Sequence, residues 1–424
     1  MDTERRLDAA LLLSDLQDNA FAPSDGPPRV GLEVEMLAVR DNAAVPISDL
    51  LAAIDPLIGL GELADVTVAG SPPCYSYGST RLTFEPGGQL EVISAPHSTL
   101  ADALADVSKL EMLLDRVLGW RGIRRVHAGI NPWQQSSDVA LQTPLPRYKA
   151  MHEYFAAIGP GGARMMRLCC SLQINIDLGS PEQAARRWRL ANLMSPLLTG
   201  IFANSPVAGG MRADRKSARA CVWRDVDLSR TGAHFGADGP TDYLDFALDA
   251  GLMGRRTPSD YRPGRPDTSF RDWMERGDDA GYPTLDDWHY HLTTLFPQVR
   301  PRGFLELRAI DAPAARWRAV PVAVATTLLL DDAACADATG LLEPLVPHMD
   351  DIERLSAVCG LDDPNVAALA QSLMRTAIDA IPRLAEGWCS PSIAADVAAF
   401  NERFTARGRC PADDWFGEDG AWRA

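Results

Sequence analysis

Gly31-Leu-Glu-Val-Glu-Met-Leu37 decides the fold, because it sets two glutamates two residues apart inside an apolar run. In a β-strand, successive side chains alternate between the two faces of the sheet. Glu33 and Glu35 therefore share one face, while Leu32 and Val34 point to the other. The stretch predicts a strand with one acidic face and one face turned toward a core.

Three segments elsewhere in the chain repeat this pattern. They are Phe84-Glu-Pro-Gly-Gly-Gln-Leu-Glu-Val-Ile93, Ser171-Leu-Gln-Ile-Asn-Ile-Asp177 and Phe304-Leu-Glu-Leu-Arg-Ala-Ile-Asp311. Gly87-Gly88 in the first of them predicts the turn of a hairpin. The three segments contribute these polar side chains to the predicted face: Glu85, Glu91, Gln173, Asn175, Glu306 and Arg308. Lysine is absent from all four segments, whereas an ordinary solvated sheet face carries mixed polar residues.

The shared acidic face predicts a site for divalent cations. Glutamate is a poor strand former, and several carboxylates on one face repel one another unless cations lie between them. Carboxylate oxygens suit Mg²⁺ and Mn²⁺, and two or three Mg²⁺ ions that keep some water would bridge nucleotide phosphates. The predicted metal ligands are Glu33, Glu35, Glu85, Glu91 and Glu306. Gln173 offers a neutral ligand, and a merely wet sheet face is the alternative for any one segment alone.

Arginines are the second ingredient of the predicted site. Arg308 shares a strand face with Glu306, where its guanidinium would bind a transferring phosphoryl group. The run Ser217–Gly232 adds three more candidates, Arg219, Trp223 and Arg230. From spacing alone, that run is better explained as a salt-bridged turn with a tryptophan in the core.

Other motifs carry little information. The chain has no Walker A loop and no kinase-type glycine-rich loop, so a nucleotide would have to bind in another way. His289 and His291 stand two residues apart without a further histidine or cysteine, which favours a structural or substrate-orienting role over metal binding.

Composition excludes several classes of protein. The chain has 424 residues, of which 46% are hydrophobic and 23% charged, so it is expected to be globular. Its net charge of −16 argues against nucleic acid or an anionic membrane as a partner. No apolar run is long enough to span a membrane, and the charged N-terminus is unlike a signal peptide. Eight cysteines without metal spacing fit reduced thiols in a cytoplasm.

The predicted architecture is α+β. Helices are expected near residues 3–20, from Ser98 or Thr99 onward, and from the cap Ser180 to Ala203. Residues from about 255 to 284 are rich in Pro, Gly, Asp and Arg without periodicity, which predicts a long loop that acts as a lid. Residues 313–424 read as a helical region packed on a catalytic region of residues 1–312, with both forming one structural unit.

Several of these segments resemble those of the plant-type glutamate–cysteine ligases. The matching stretches include Gly31–Glu35, Thr83–Glu91, Pro146-Arg-Tyr-Lys-Ala-Met151, Met165-Met166, Ser171–Asp177 and Ala203-Asn-Ser-Pro206. The most specific is His289-Tyr-His-Leu-Thr-Thr-Leu-Phe-Pro-Gln-Val-Arg-Pro-Arg-Gly-Phe-Leu-Glu-Leu-Arg308. The similarity is greatest to the actinobacterial branch whose product feeds ergothioneine synthesis.

The resemblance implies a glutamine-synthetase-like fold, a curved antiparallel sheet with flanking helices that cradles ATP and Mg²⁺. It also implies ATP-driven joining of L-glutamate to the amine of L-cysteine through γ-glutamyl phosphate. Carried over by motif, the five glutamates are metal ligands, and the catalytic residues are Arg308, Glu306 and Arg219. The residues expected to bind the cofactor are Gln173, Asn175, Arg230 and Trp223.

Three alternatives remain open at this point. The same chemistry can use a different amine, because related carboxylate–amine ligases differ in acceptor. A non-catalytic relative acting as a binding or regulatory subunit is disfavoured by the intact set of glutamates. A Mg²⁺-dependent hydrolase would need a general base and would not need Arg308 beside Glu306. Nothing in the sequence predicts the oligomeric state.

Overall fold

A computed structural model describes residues 6–143, 145–233, 235–236, 238–256, 261–279, 281–417 and 422. The strands are β1 (Val30–Arg40), β2 (Ala43–Ala44), β3 (Ala64–Asp65), β4 (Tyr75–Tyr77), β5 (Thr80–Phe84), β6 (Leu90–Ile93), β7 (Arg124–Val126), β8 (Ser171–Asp177), β9 (Val207–Ala208), β10 (Met211–Arg212), β11 (Gly251–Arg256), β12 (Tyr261–Ser269), β13 (Val299–Pro301) and β14 (Phe304–Asp311).

The α-helices are α1 (Ala9–Asp15), α2 (Ile47–Gly59), α3 (Leu100–Gly119), α4 (Pro146–Ala156), α5 (Gly161–Leu168), α6 (Pro181–Ile201), α7 (Ala218–Arg224), α8 (Leu228–Thr231), α9 (Gly239–Asp249), α10 (Phe270–Arg276), α11 (Leu285–Leu292), α12 (Ala319–Leu330), α13 (Asp332–Leu342), α14 (Met349–Cys359), α15 (Pro364–Ala380) and α16 (Pro391–Arg403). A π-helical turn covers Leu16–Ala20, and 3₁₀ turns cover Ala315–Trp317, Glu343–His348, Ile381–Arg383, Thr405–Arg407 and Pro411–Trp415. The α+β prediction, with a helical C-terminal region, is confirmed.

Ten strands form one antiparallel sheet, and the four predicted acidic segments lie side by side within it. The order is β13-β14-β8-β1-β6-β5-β4-β3, and β2 and β7 pair with the far end of β1. The register places polar residues opposite one another in three pairs: Glu35 and Glu91, Glu33 and Gln173, and Glu306 and Asn175. Adjacent strands therefore bring residues from distant parts of the chain onto one face.

The opposite face of the sheet carries the main hydrophobic core. Its strand residues are fully buried, namely Leu32, Val34, Leu172, Ile174, Leu305 and Leu307. They pack together with α3 and α6 in one apolar cluster. Thr99 caps α3, and Ser180 forms a capping box with Gln183 at the start of α6, so both predicted helix starts are confirmed.

The C-terminal helices belong to the same core. Nearly every side chain of α12 is buried, and α13, α14 and α15 pack against α6. The main apolar cluster therefore contains residues from both sides of position 312. The division at 312 itself stays a prediction. Over the described residues no single helix is long and apolar enough to cross a membrane, although helices at 315–330 and 332–359, bent by 94°, reach that length and composition as a pair.

Two segments differ from their predictions. The first helix is shorter than expected: α1 begins at Ala9 and passes into the π-helical turn, while residues 1–5 lie outside the described chain. The prediction of a long irregular loop near 255–284 is wrong, because β11 and β12 pair as a hairpin that is followed by α10. A two-stranded ribbon has two open edges, which lets β12 accommodate Pro263 and Pro266. Residues 257–260 and 280 lie outside the description, and the lid role stays a prediction.

Candidate active site

A cavity of about 560 Å³ lies on the polar face of the sheet. Its sheet side is lined by Glu33, Glu35, Glu91, Gln173, Arg300 and Arg308. The facing wall is apolar and includes Met151, Met165, Met166, Trp223 and Phe296. Most of these wall residues belong to a second apolar cluster, built from α4, α5, α7 and their neighbours. The cavity therefore has one charged wall and one wall that is mainly apolar.

Three of the predicted metal ligands converge in this cavity. One carboxylate oxygen from each of Glu35, Glu85 and Glu91 lies within 4.8 Å of the other two. Glu35 and Glu91 are opposite each other on β1 and β6. Glu85 comes from the hairpin turn, which is closed by the Gly88 N–H donating to the Glu85 carbonyl at 2.8 Å. The turn thus places a third carboxylate beside the strand pair.

Burial and mutual repulsion make this cluster electrostatically unfavourable. Burial, followed by the charge of Glu35, raises the pKa of Glu85 to about 8. Burial and the charge of Glu85 raise the pKa of Glu91 well above its usual range. Burial and the charge of Glu306 likewise raise the pKa of Glu33. A bound cation would offset the repulsion that keeps protons on these carboxyls.

Hydrogen bonds fix the orientation of the carboxylates. The Ser171 N–H and the Gln173 amide donate to the two oxygens of Glu35 at 2.7 and 2.8 Å. The Thr83 hydroxyl donates to Glu91 at 2.5 Å. The Asn175 amide donates to Glu33 at 2.9 Å, one position along the same face. Gln173 and Asn175, which were predicted to bind the cofactor, therefore donate hydrogen bonds to glutamates in this structure.

Glu306 has a different environment from the other glutamates. Its carboxylate accepts from Arg300 at 2.5 and 3.0 Å, from Arg302 at 3.1 Å and from Arg308 at 3.2 Å. Burial alone would raise the pKa of Glu306, but the charges of Arg300 and Arg308 hold it well below its usual range. Both oxygens are thus engaged by guanidinium groups, and its role as a metal ligand stays a prediction.

Arg308 connects this arginine group to the acidic cluster. Its Nη1 donates to the Gln173 carbonyl oxygen at 2.5 Å, and the Gln173 amide donates to Glu35. The Nε of Arg308 is buried and has no hydrogen-bond partner among the described residues. A planar cation with an unused donor at a cavity wall suits a phosphate or carboxylate oxygen.

The remaining predicted residues lie at or behind the cavity wall. Trp223 lines the cavity, and its indole N–H donates to the Phe296 carbonyl at 2.9 Å. Arg219 lies beneath it, with its guanidinium 4.8 Å from the Trp223 ring and a hydrogen bond of 2.8 Å to the Arg308 carbonyl. Arg230 is fully buried and donates to Asp227, Thr294 and Tyr154. Contacts of these residues with substrate or nucleotide stay predictions.

Arg147 is a candidate functional residue to which the sequence analysis gave no role. It lines the cavity from the first turn of α4, and its Nη2 donates to the Thr293 carbonyl at 2.9 Å. Its Nε is buried without a hydrogen-bond partner in the described part of the chain. Its charge partly opposes the upward pKa shift of Glu85. The sequence analysis also gave no role to Arg300 and Arg302. Their two-residue spacing, which matches that of Glu306 and Arg308, could have indicated that they share a strand face.

The two histidines have structural partners. The Nε2 of His291 lies 2.7 Å from the Ala247 carbonyl, and burial lowers the pKa of His291 to about 3. The Nε2 of His289 lies 2.8 Å from a carboxylate oxygen of Asp15 on α1. Both side chains therefore hold helix α11 to its neighbours.

Comparisons with known proteins identify the family of this chain. The family "Glutamate-cysteine ligase family 2 (GCS2)" matches residues 29–422. The glutamate–cysteine ligase EgtA of Mycolicibacterium smegmatis is 34% identical over 402 residues, which cover 92% of this chain and 87% of the relative. EgtA of Mycobacterium tuberculosis is 34% identical over 409 residues, with 92% and 86% covered. The chloroplastic glutamate–cysteine ligase of Nicotiana tabacum is 34% identical over 57% of this chain and 47% of its own length.

A solved structure shows the same fold at low sequence identity. The glutamate–cysteine ligase of Francisella tularensis, solved in complex with AMP, superposes with a TM-score of 0.55 and 13% identity, covering 92% of this chain and 84% of the other. The fold, the match over most of the length and the mycobacterial relatives lead to one assignment. The chain belongs to glutamate-cysteine ligase family 2.

Proposed function

We propose that this protein is an ATP-dependent glutamate–cysteine ligase that forms γ-glutamylcysteine through γ-glutamyl phosphate. The observation that carries the proposal is the cavity in which Glu35, Glu85 and Glu91 converge and which Arg308 also lines. The mycobacterial relatives are named as ligases of this kind, and the Francisella enzyme with this fold was solved with AMP. Both facts support ATP, L-glutamate and L-cysteine as the substrates.

The acidic cluster fits bound metal ions. Its carboxylate oxygens are close enough to share a cation, and both burial and the neighbouring carboxylates raise the pKa values of Glu85 and Glu91. Glu35, Glu85 and Glu91 would hold Mg²⁺ or Mn²⁺, with Glu33 and Glu306 as further ligands on the arginine side. When bound, such ions supply positive charge beside the phosphate oxygens of ATP.

The first chemical step is the transfer of the γ-phosphoryl group to glutamate. A γ-carboxylate oxygen attacks the terminal phosphorus, and the bond from that phosphorus to the oxygen of ADP breaks. This reaction needs positioning and charge stabilisation more than covalent help. Arg308, held by Gln173 and Glu306, is oriented to stabilise the charge on the transferring group. Arg147 lines the same cavity, and in this proposal it binds a substrate carboxylate.

The second step forms the amide. The amine of cysteine attacks the γ-carbonyl carbon, phosphate leaves with the electron pair of the C–O bond, and the nitrogen loses a proton to the departing phosphate. Water competes with the amine for the acyl phosphate, so a dry site favours ligation. Met151, Met166 and Phe296 form an apolar wall of this cavity, which would limit water there. We place the reaction in the cytoplasm, with the product entering ergothioneine synthesis.

An ADP-release assay with product identification tests the function. Purified protein with Mg²⁺-ATP and glutamate should release ADP at a rate that rises strongly when cysteine is added, and mass spectrometry should detect γ-glutamylcysteine. If another amine raises the rate of ADP release more than cysteine does, the assigned acceptor changes and the ligase chemistry stands. ADP release independent of any amine would favour a hydrolase, and an absence of ADP release would favour a binding protein.

A sulfoximine analogue of glutamate tests the intermediate. The site should phosphorylate the analogue, because a phosphorylated mimic resembles the tetrahedral species between acyl phosphate and amine. We expect inhibition that requires ATP and deepens with time of incubation. Inhibition that is immediate and independent of ATP would argue against γ-glutamyl phosphate.

A further inference from the structure

A second cavity, of about 350 Å³, lies between β7 and the C-terminal segment. None of the residues that line it lines the active-site cavity. Its volume falls in the range of small-molecule sites. The proposed ligase chemistry does not use any of its side chains, so its composition requires a separate explanation.

Three indoles form a continuous aromatic wall in this cavity. The Trp415 and Trp422 rings are nearly parallel, with an interplanar angle of 9° and centroids 6.4 Å apart. The Trp133 ring lies 6.1 Å from that of Trp422. The Trp415 N–H donates to the side-chain oxygen of Asn204 at 2.8 Å, which fixes that indole. The Trp133 Nε1 is buried and has no hydrogen-bond partner among the described residues. Such a wall suits a flat ring with a hydrogen-bond acceptor.

The cavity is also locally positive in a chain of net charge −16. Asp414 is its one acidic lining residue, and Arg403 and Arg409 already pair with that carboxylate at 2.6 and 2.9 Å. Arg124 and Arg316 line the cavity, are exposed and form no ion pair within the described ranges, and Arg124 donates to the side-chain oxygen of Asn42 at 2.8 Å. Their guanidiniums lie over Trp133 and Trp317, at 4.8 and 4.2 Å from the ring centroids. Two cations without a counterion beside an aromatic wall attract an anion.

We propose that this cavity is a second ligand site, which binds a small aromatic carboxylate. The ring of the ligand lies against the indoles of Trp415 and Trp422. Its carboxylate faces Arg124 and Arg316. A cationic ligand with the same ring is excluded by charge, and a carboxylate without a ring lacks the aromatic contact.

Calorimetric titration of the full chain tests this site with matched probes. Indole-3-acetate should bind saturably, whereas tryptamine, which carries the same ring on a cation, and acetate, which has no ring, should not. Replacing both arginines, Arg124→Gln with Arg316→Gln, should weaken indole-3-acetate binding by at least about tenfold, because two charged contacts are lost. The matched control is Arg116→Gln, an exposed arginine on α3.

Location is tested by comparing variants of the two cavities. Arg308→Lys changes the active-site cavity and should leave indole-3-acetate binding unchanged. If the double arginine variant does not fold, Trp422→Leu tests the aromatic wall instead and should weaken binding to a similar extent. The proposal is overturned if indole-3-acetate does not bind at millimolar concentration, if tryptamine binds equally well, or if binding is lost in Arg308→Lys but kept in the double variant.

Discussion

At the scale of single residues, Glu35 is the link between the acidic cluster and the sheet. Its two oxygens accept hydrogen bonds from Ser171 and Gln173, and it faces Glu85 and Glu91. An amide at this position keeps the size of the side chain and an oxygen for one of these donors. It removes a negative charge that a cation would require.

Glu35→Gln should therefore abolish most turnover while the fold persists. We expect the rate of ADP release at saturating Mg²⁺ to fall by roughly two orders of magnitude, the usual effect of losing one electrostatic contact in an active site. Thermal unfolding measures the fold, and Glu62→Gln, at an exposed position, is the control. Near-normal turnover in a folded Glu35→Gln enzyme would contradict the metal site.

Arg308 allows a test of charge geometry at constant charge. Its Nη1 donates to both Gln173 and Glu306, and a lysine ammonium, which is a point charge, cannot reproduce the planar guanidinium. Arg308→Lys should lower kcat by roughly two orders of magnitude and change the KM for glutamate much less. Arg116→Lys is the matched control. A normal kcat with a raised KM for ATP would instead assign Arg308 to binding of the ground state.

The raised pKa of Glu85 predicts how the free energy of unfolding depends on pH when no metal is bound. Its pKa is raised from 4.5 to about 8 in the folded protein, so the folded state binds more protons than the unfolded chain between these values. The free energy of unfolding therefore falls as pH rises through this window. The depressed pKa of Glu306 acts at acid pH, where stability is lost as pH falls through its folded value.

In EDTA, the Tm should consequently decrease from about pH 7 to about pH 8. Added Mg²⁺ should raise the Tm more at the higher pH, because metal binding requires deprotonated ligands. Glu85→Gln should flatten the pH dependence. Differential scanning fluorimetry measures all three, and a Tm for the native sequence that rises with pH in EDTA would refute the prediction.

At the scale of elements, the β5–β6 hairpin sets the position of two glutamates. Its turn packs closely on the end of α5, where a Cβ added to Gly87 would lie 2.4 Å from the Arg167 carbonyl oxygen. The atoms that this Cβ would meet belong to the backbone of Arg167, so the clash can be relieved only by moving the turn or the end of α5. Glycine at this position is therefore required by contact with a neighbouring element.

Gly87→Ala should displace Glu85 from the cluster. We expect the Mg²⁺ concentration for half-maximal turnover to rise by roughly ten- to a hundredfold, the usual effect of disturbing the support of a metal ligand. Titration of activity with Mg²⁺ measures it. Gly119→Ala, where an added Cβ meets nothing within 4 Å, is the control. An unchanged Mg²⁺ requirement would show that the turn can shift without moving the carboxylate.

At the scale of the whole molecule, the helices after residue 312 complete the core. Each fully buried apolar side chain contributes about 1.5–3 kcal/mol, and a domain is stable by only about 5–15 kcal/mol. Removing α12 to α16 would expose α6 and part of α3. A chain of residues 1–312 should therefore fail to fold cooperatively, as measured by circular dichroism during urea unfolding. A cooperative transition for the shortened chain would support two independent domains.

The sequence by itself determined the acidic strands, because alternation within a strand is a local property of the backbone. It predicted the Gly87-Gly88 turn and the starts of α3 and α6 for the same reason, and it named the glutamates of the cluster. Composition alone misled at 255–284, where pairing between strands β11 and β12, followed by α10, outweighed the loop-forming preference of Pro and Gly.

Only the tertiary structure decided which charges meet. Arg300 and Arg302 bind Glu306 because β13 pairs with β14, and Arg147 reaches the cavity because α4 packs on α5 and on the β11–β12 hairpin. Likewise, Arg219 and Arg230 lie behind the cavity wall, where Arg219 donates to the Arg308 carbonyl and Arg230 donates to Asp227 and Thr294. Strand order and helix packing join residues that are far apart in sequence, and local spacing carries no information about such contacts.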